Sequence, residues 1–224
     1  MADRLRAFGL PLLGALLILF TSLWAFGLLA DYVTDNDTGD DQQLAEWLRG
    51  RATEPLTDVF RAITTLGNFV TLVVVTVIAV AVLWRRRERI DAVLVAAAFL
   101  GAQVLSSGMK LGFRRERPFF PDPLATESTF SFPSGHALVS LAVYGSIALV
   151  LARRLRRRSD RIVLFGATAL LVLAIGFSRL YLGVHFLSDV LAGFAAGAAW
   201  LALLYVALEL RSRYTSRYLA STKQ

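Results

Sequence analysis

The only two histidines of this 224-residue chain each sit in a short segment with polar or charged neighbours. Lys110 and Arg117-Pro118 come first, then Pro133-Ser134-Gly135-His136, then Ser178-Arg179 with His185 and Asp189. Lys110, Arg117 and Arg179 have no obvious acidic partner in their own segments, and a guanidinium fork matches the oxygens of a phosphate. Ser134-Gly135-His136 follows a proline and precedes a long apolar run, which reads as a helix start. The free N–H groups and dipole of such a start favour a bound anion, and glycine lets the backbone come close. His185 and Asp189 are four apart, so on a helix they share one face, and the carboxylate can hold one imidazole nitrogen protonated. The other nitrogen is then free to attack. Phosphoryl transfer to water asks for a nucleophile, a proton donor for the leaving oxygen and fixed positive charge around the equatorial oxygens. These residues supply that set.

The three segments stand as K-x6-R-P, P-S-G-H and S-R-x5-H-x3-D, in that order, with no departure from a known pattern. Together they resemble the signature of the type-2 phosphatidic acid phosphatase superfamily. P-S-G-H alone would say little; all three with these gaps are specific. The resemblance implies that His185 is the nucleophile that forms a phosphohistidine and that Asp189 orients it. It implies that His136 protonates the leaving oxygen and then activates water, while Lys110, Arg117, Arg179, Ser134 and the Gly135 amide bind phosphoryl oxygens. It also implies an all-α integral membrane bundle of six helices.

Composition points the same way. Hydrophobic residues make up 56% and mean hydropathy is +0.57, well above ordinary soluble proteins. Net charge is +7, yet the basic residues sit in short blocks between apolar runs, which reads as membrane topology and anionic-lipid contact rather than nucleic acid. With no cysteine, disulfides, thiolate metal sites and cysteine nucleophiles are excluded.

Stepping along the apolar runs gives six spans, near residues 8–30, 67–84, 90–109, 137–152, 162–181 and 186–208, in one membrane domain covering 1–224. The first is too long for a signal-peptide core and lacks a clear A-x-A site, so it reads as a retained span. Arg4, Arg6, the arginines at 85–89 and 153–161, and the tail with Arg211, Arg213, Arg217 and Lys223 fall on one side; they are 16 of the 24 basic residues. The positive-inside rule then puts both termini in the cytoplasm of a cell (inner) membrane, with the phosphate-binding segments facing outward. The fourth span is short, which sets His136 near the outer headgroups and predicts lateral entry of a lipid.

Between the first two spans, Leu44, Trp47 and Leu48, and then Leu56, Val59, Phe60 and Ile63 after Pro55, follow helical spacing. One or two amphipathic helices on the outer surface are expected there. The acidic cluster Asp35, Asp37, Asp40 and Asp41 matches no metal loop and reads as a solvated segment. Arg114 and Arg115 read as partners of Glu116 and Asp122. The phenylalanines between Leu111 and Pro133 read as interfacial anchors, and Gly193 and Gly197 as close packing within the bundle.

The expectation is therefore a membrane phosphatase acting on a lipid phosphate or diphosphate, with undecaprenyl diphosphate, phosphatidylglycerol phosphate and phosphatidic acid all open. The cations can supply the charge stabilisation that Mg²⁺ gives other phosphatases, so no metal or cofactor is expected. A lipid-phosphate carrier or flippase would use the same cations for binding but needs no His185-Asp189 pair. A vanadate-dependent oxidase shares the signature in a soluble fold, against this composition. Oligomeric state is left open.

Overall fold

Apolar runs of 17 to 25 residues cannot leave backbone polar groups unpaired in lipid, so they close their own hydrogen bonds as helices. The computed structural model describes residues 2–35 and 39–221, with side chains over 11–35 and 39–211. Asp37 and Lys223 lie outside the described residues, as do the side chains of Arg4, Arg6, Arg213 and Arg217. Eight helices occur among the described residues: α1 (Ala2–Thr34), α2 (Gly39–Arg49), α3 (Glu54–Thr65), α4 (Phe69–Arg85), α5 (Arg89–Phe113), α6 (Gly135–Ala152), α7 (Arg158–Tyr181) and α8 (Leu187–Ser221).

Five of these are long and apolar enough to cross a membrane, and α3 with α4, bent by 42°, makes a sixth. The chain is a multi-pass membrane protein. Alone, α4 has 17 residues, about 25 Å at the usual helical rise. The break before it is set locally. Asn68 caps α4, its side chain accepting from Thr71 N at 2.8 Å. Gly67 lies so close to its neighbours that a Cβ would come within 2.4 Å of Ile175 Cγ2 and 3.1 Å of His136 Cδ2.

The helix at the centre is α6, apolar on all sides and largely buried between α5, α7 and α8. Leu138, Val139, Ala142 and Val143 of α6 meet Leu72 of α4 and Ala98 and Ala102 of α5 in its core. Gly193 and Gly197 let α8 approach α6 backbone to backbone; Cβ atoms there would fall 2.6 Å from Ser134 O and 2.7 Å from Leu138 O. Large apolar side chains such as Phe20, Trp24, Val77 and Val104 point out of the bundle, as lipid-facing residues do.

Alternating helix direction sorts the chain ends. Arg153 pairs with Asp91 at 2.8 Å and Arg154 with Glu88, tying the end of α6 to the start of α5. The opposite end gathers α2, α3, residues 114–134, the starts of α6 and α8 and the end of α7. Of the acidic cluster expected to be a solvated segment, Asp40 and Asp41 instead lie in the first turn of α2, and Asp41 is buried. Both amphipathic helices form. Phe60 of α3 stacks on Tyr181 with ring centroids 4.4 Å apart, whereas Leu56 and Val59 stay exposed.

Candidate active site

A left-handed residue ends α5: Arg114 has φ 50°, and its N–H bonds Lys110 O at 3.0 Å. The chain then crosses the end of the bundle through Arg117 and returns at Ser134. There the first hydrogen bond of α6 runs from Leu138 N to Ser134 O, so the amides of Gly135, His136 and Ala137 have no intrahelical acceptor. Ser134 N donates instead to Asp189 O at 2.9 Å, joining the start of α6 to the first turn of α8.

The structure brings both histidines to one cavity of about 230 Å³, with Lys110, Arg117, Gly135 and Glu127 also on its wall. Arg179, Ser134 and Asp189 are not on that wall. Arg179 and Ser134 are buried, and Arg179 Nε and Ser134 Oγ have no protein partner. Unpaired buried donors of this kind are what a bound oxyanion would satisfy.

His185 is not on a helix. Between α7 and α8 the chain turns through Gly183 (φ 70°), and Asp189 reaches back from α8, its Oδ2 accepting from Phe186 N at 2.9 Å. Asp189 Oδ2 lies 3.3 Å from His185 Nδ1, while Arg117 Nη1 lies 3.1 Å from His185 Nε2. A guanidinium only donates, so Nε2 is the unprotonated nitrogen and Nδ1 carries the hydrogen. Ser131 Oγ also donates to Asp189 Oδ2. Burial pulls the His185 imidazole down to about 3, with Asp189 opposing and Arg117 and Arg179 adding to the fall. At neutral pH the ring is neutral.

Lys110 and Arg117 hold the loop in place. Lys110 Nζ donates to Phe130 O and, at 3.3 Å, to Thr129 Oγ1. Arg117 donates to Thr129 O at 2.6 Å and to Phe130 O at 3.1 Å. Burial lowers its guanidinium below the usual range, Glu127 opposing and Arg179 adding.

Arg115 corrects the sequence reading. It does not pair with Glu116 or Asp122; its side chain is 9% exposed, with Nη1 donating to Asp189 Oδ1 at 2.6 Å and Nη2 to Asp41 Oδ2 at 2.9 Å. Its guanidinium lies 4.3 Å over the Phe186 ring. Asp122 pairs with Arg49 of α2 instead. Asp41 also accepts from Ser188 N at 3.1 Å. Asp189 is therefore held on both oxygens, by His185 and Ser131 on one and Arg115 on the other. Asp41, Arg115 and Ser131 were missed because each partner lies far along the chain, where no short spacing signals it.

A family model described as the PAP2 superfamily matches residues 91–213. Phosphatidylglycerophosphatase B of Bacillus subtilis is 38% identical over 146 residues, 63% of this chain and 70% of the relative. Undecaprenyl-diphosphatase of Sulfolobus acidocaldarius is 34% identical over 140 residues, 60% of this chain and 63% of the relative. Among solved structures, the transmembrane PAP2 type phosphatidylglycerolphosphate phosphatase from Bacillus subtilis superimposes with a TM-score of 0.78 at 31% identity, covering 84% of this chain and 94% of that one.

Proposed function

The chain belongs to the PAP2 superfamily, with membrane lipid phosphatases as relatives, and from that premise we propose that it hydrolyses a lipid phosphate or diphosphate through a phosphohistidine. The observation that carries this reading is the His185 geometry: a neutral ring, Nδ1 held by Asp189, and Nε2 turned to a cationic cavity.

Arg117 now occupies the Nε2 lone pair; an entering phosphoryl group would take that guanidinium onto its own oxygens and free the nitrogen. His185 Nε2 then forms a bond to phosphorus as the bond to the leaving oxygen breaks, and His136 gives that oxygen a proton. In the second step His136 takes a proton from water, the water oxygen bonds to phosphorus, and the P–N bond breaks to release inorganic phosphate. Lys110, Arg117, Arg179, Ser134 and the open amides at Gly135 would hold the oxygens. With this much fixed positive charge the reaction is proposed to run without a metal ion.

The substrate is proposed to come from the outer leaflet. Phe69 and Leu72 of the α4 end and Ser106 of α5 share the cavity wall. Farther along these helices an apolar groove of about 580 Å³ runs between α4 and α5, past Val73, Val77, Phe99 and Leu100 to Trp84 and Arg85 at the arginine-rich end. A lipid tail in that groove would present its phosphate to His185 from the side. Undecaprenyl diphosphate, phosphatidylglycerol phosphate and phosphatidic acid are all kept as candidate substrates, because the proposed cradle reads the phosphoryl group.

The test is phosphate release from those lipids by purified protein in detergent with EDTA. Wild-type turnover that survives EDTA, yields to vanadate and drops by roughly a thousandfold or more in His185→Ala supports the proposal. Equal release by the variant removes the nucleophile, dependence on added metal removes the metal-free step, and binding without release points to a carrier.

A further inference from the structure

Arg179 carries the one ion pair of the cradle for which the proposed reaction has no role. Nη2 donates to Glu127 Oε1, Nη1 donates to Thr64 Oγ1 at 2.7 Å, and Nε is unpaired. The Arg179 side chain is 3% exposed and that of Glu127 is 30% exposed. Glu127, and not Arg179, is on the wall of the cavity that holds both histidines. Glu127 also lines the wider pocket of about 590 Å³ that shares Lys110, Arg117 and Thr129 with it. A carboxylate thus stands between the buried guanidinium and the space where the reacting phosphoryl group would sit.

Resting on the phosphate-cradle reading, we infer that Glu127 is a charge filter, yielding Arg179 to a terminal phosphate and withholding it from the phosphodiester headgroups of the surrounding bilayer. A site open to the bilayer meets diester phosphates in large excess, and any that bound would block turnover without reacting. A diester carries one negative charge, the same as the carboxylate it would displace, so the exchange gains no charge attraction and adds repulsion while Glu127 stays near. A terminal phosphate carries about 1.5 to 2 negative charges near neutral pH and presents three free oxygens. It engages Lys110 and Arg117 together with Arg179, and the added attraction moves Glu127 aside. The position of Glu127, on a loop and partly exposed, leaves it room to swing.

The experiment uses the full chain in detergent, hydrolysing phosphatidic acid in mixed micelles while the fraction of phosphatidylglycerol, a diester, is raised. Wild type is expected to tolerate the diester, and Glu127→Gln to be inhibited at roughly tenfold lower diester fraction. Glu127→Asp keeps the charge and is expected to retain most of the tolerance. Wild-type tolerance in Glu127→Gln overturns the filter. So does an Asp variant as sensitive as the Gln variant, because the effect is then loop geometry and not charge. Inhibition by inorganic phosphate separates the two levels of the argument. If Arg179→Gln weakens it while Glu127→Gln leaves diester tolerance unchanged, the cradle stands and the filter falls. If Arg179→Gln leaves it unaltered, both fall.

Discussion

At the scale of single residues, the neutral state of His185 has a consequence for stability as well as for reactivity. Its folded value near 3 lies below the ordinary value of 6.5. Between those values the unfolded chain binds a proton at this position and the folded chain does not. The contribution is complete above pH 6.5 and is lost as pH falls, by about 1.4 kcal/mol per unit. His185→Gln removes that contribution. Thermal midpoints measured from pH 7 to pH 5 are therefore expected to fall more steeply for wild type than for the variant; parallel curves would show that the ring is not held neutral. The residues proposed to do the chemistry were legible because the chain has only two histidines and the motif spacings around them are short. Arg115 was not, since its two carboxylate partners come from α2 and α8, more than seventy residues away on either side. Nor was Glu127, one acid among several in a polar loop.

At the scale of elements, each apolar run read as a span coincides with a helix, because the penalty for bare backbone in lipid leaves apolar runs little choice. It could not show that α3 and α4 join at a bend, or that α2 sends Asp41 into the site, because both depend on contacts between distant segments. His185 and Asp189 meet at the spacing expected, yet across a loop and a first helical turn, since Asp189 also caps the start of α8. The groove between α4 and α5 gives a test of the route into the site. Val77 lies on its wall and is exposed, so Val77→Trp fills the groove without touching the core. The variant is expected to lose about tenfold in kcat/KM on a long-chain lipid phosphate and to keep wild-type activity on a short soluble phosphate ester. Equal losses on both, or on neither, would take the lipid tail out of the groove.

At the scale of the whole molecule, the arginine blocks and the cavity lie at opposite ends of the bundle. A chain without cysteine is a clean background for labelling. Thr126 is exposed beside the cavity and Ser159 is exposed at the arginine-rich end. With the basic end inward, a membrane-impermeant maleimide added to intact cells should label Thr126→Cys and spare Ser159→Cys, and the opposite pattern would invert the orientation. A last consequence comes from the bond between Ser134 N and Asp189 O. It ties the segment bearing His136, the proposed acid, to the one bearing His185, the proposed nucleophile, while the groove belongs to α4 and α5. On the proposed reading the two histidines rest on α6 and the turn before α8, while α4 and α5 carry the groove and, of the cradle, Lys110 alone. A lineage could then exchange one greasy passenger for another through the groove faces of α4 and α5, with Lys110 and the two histidines left in tune.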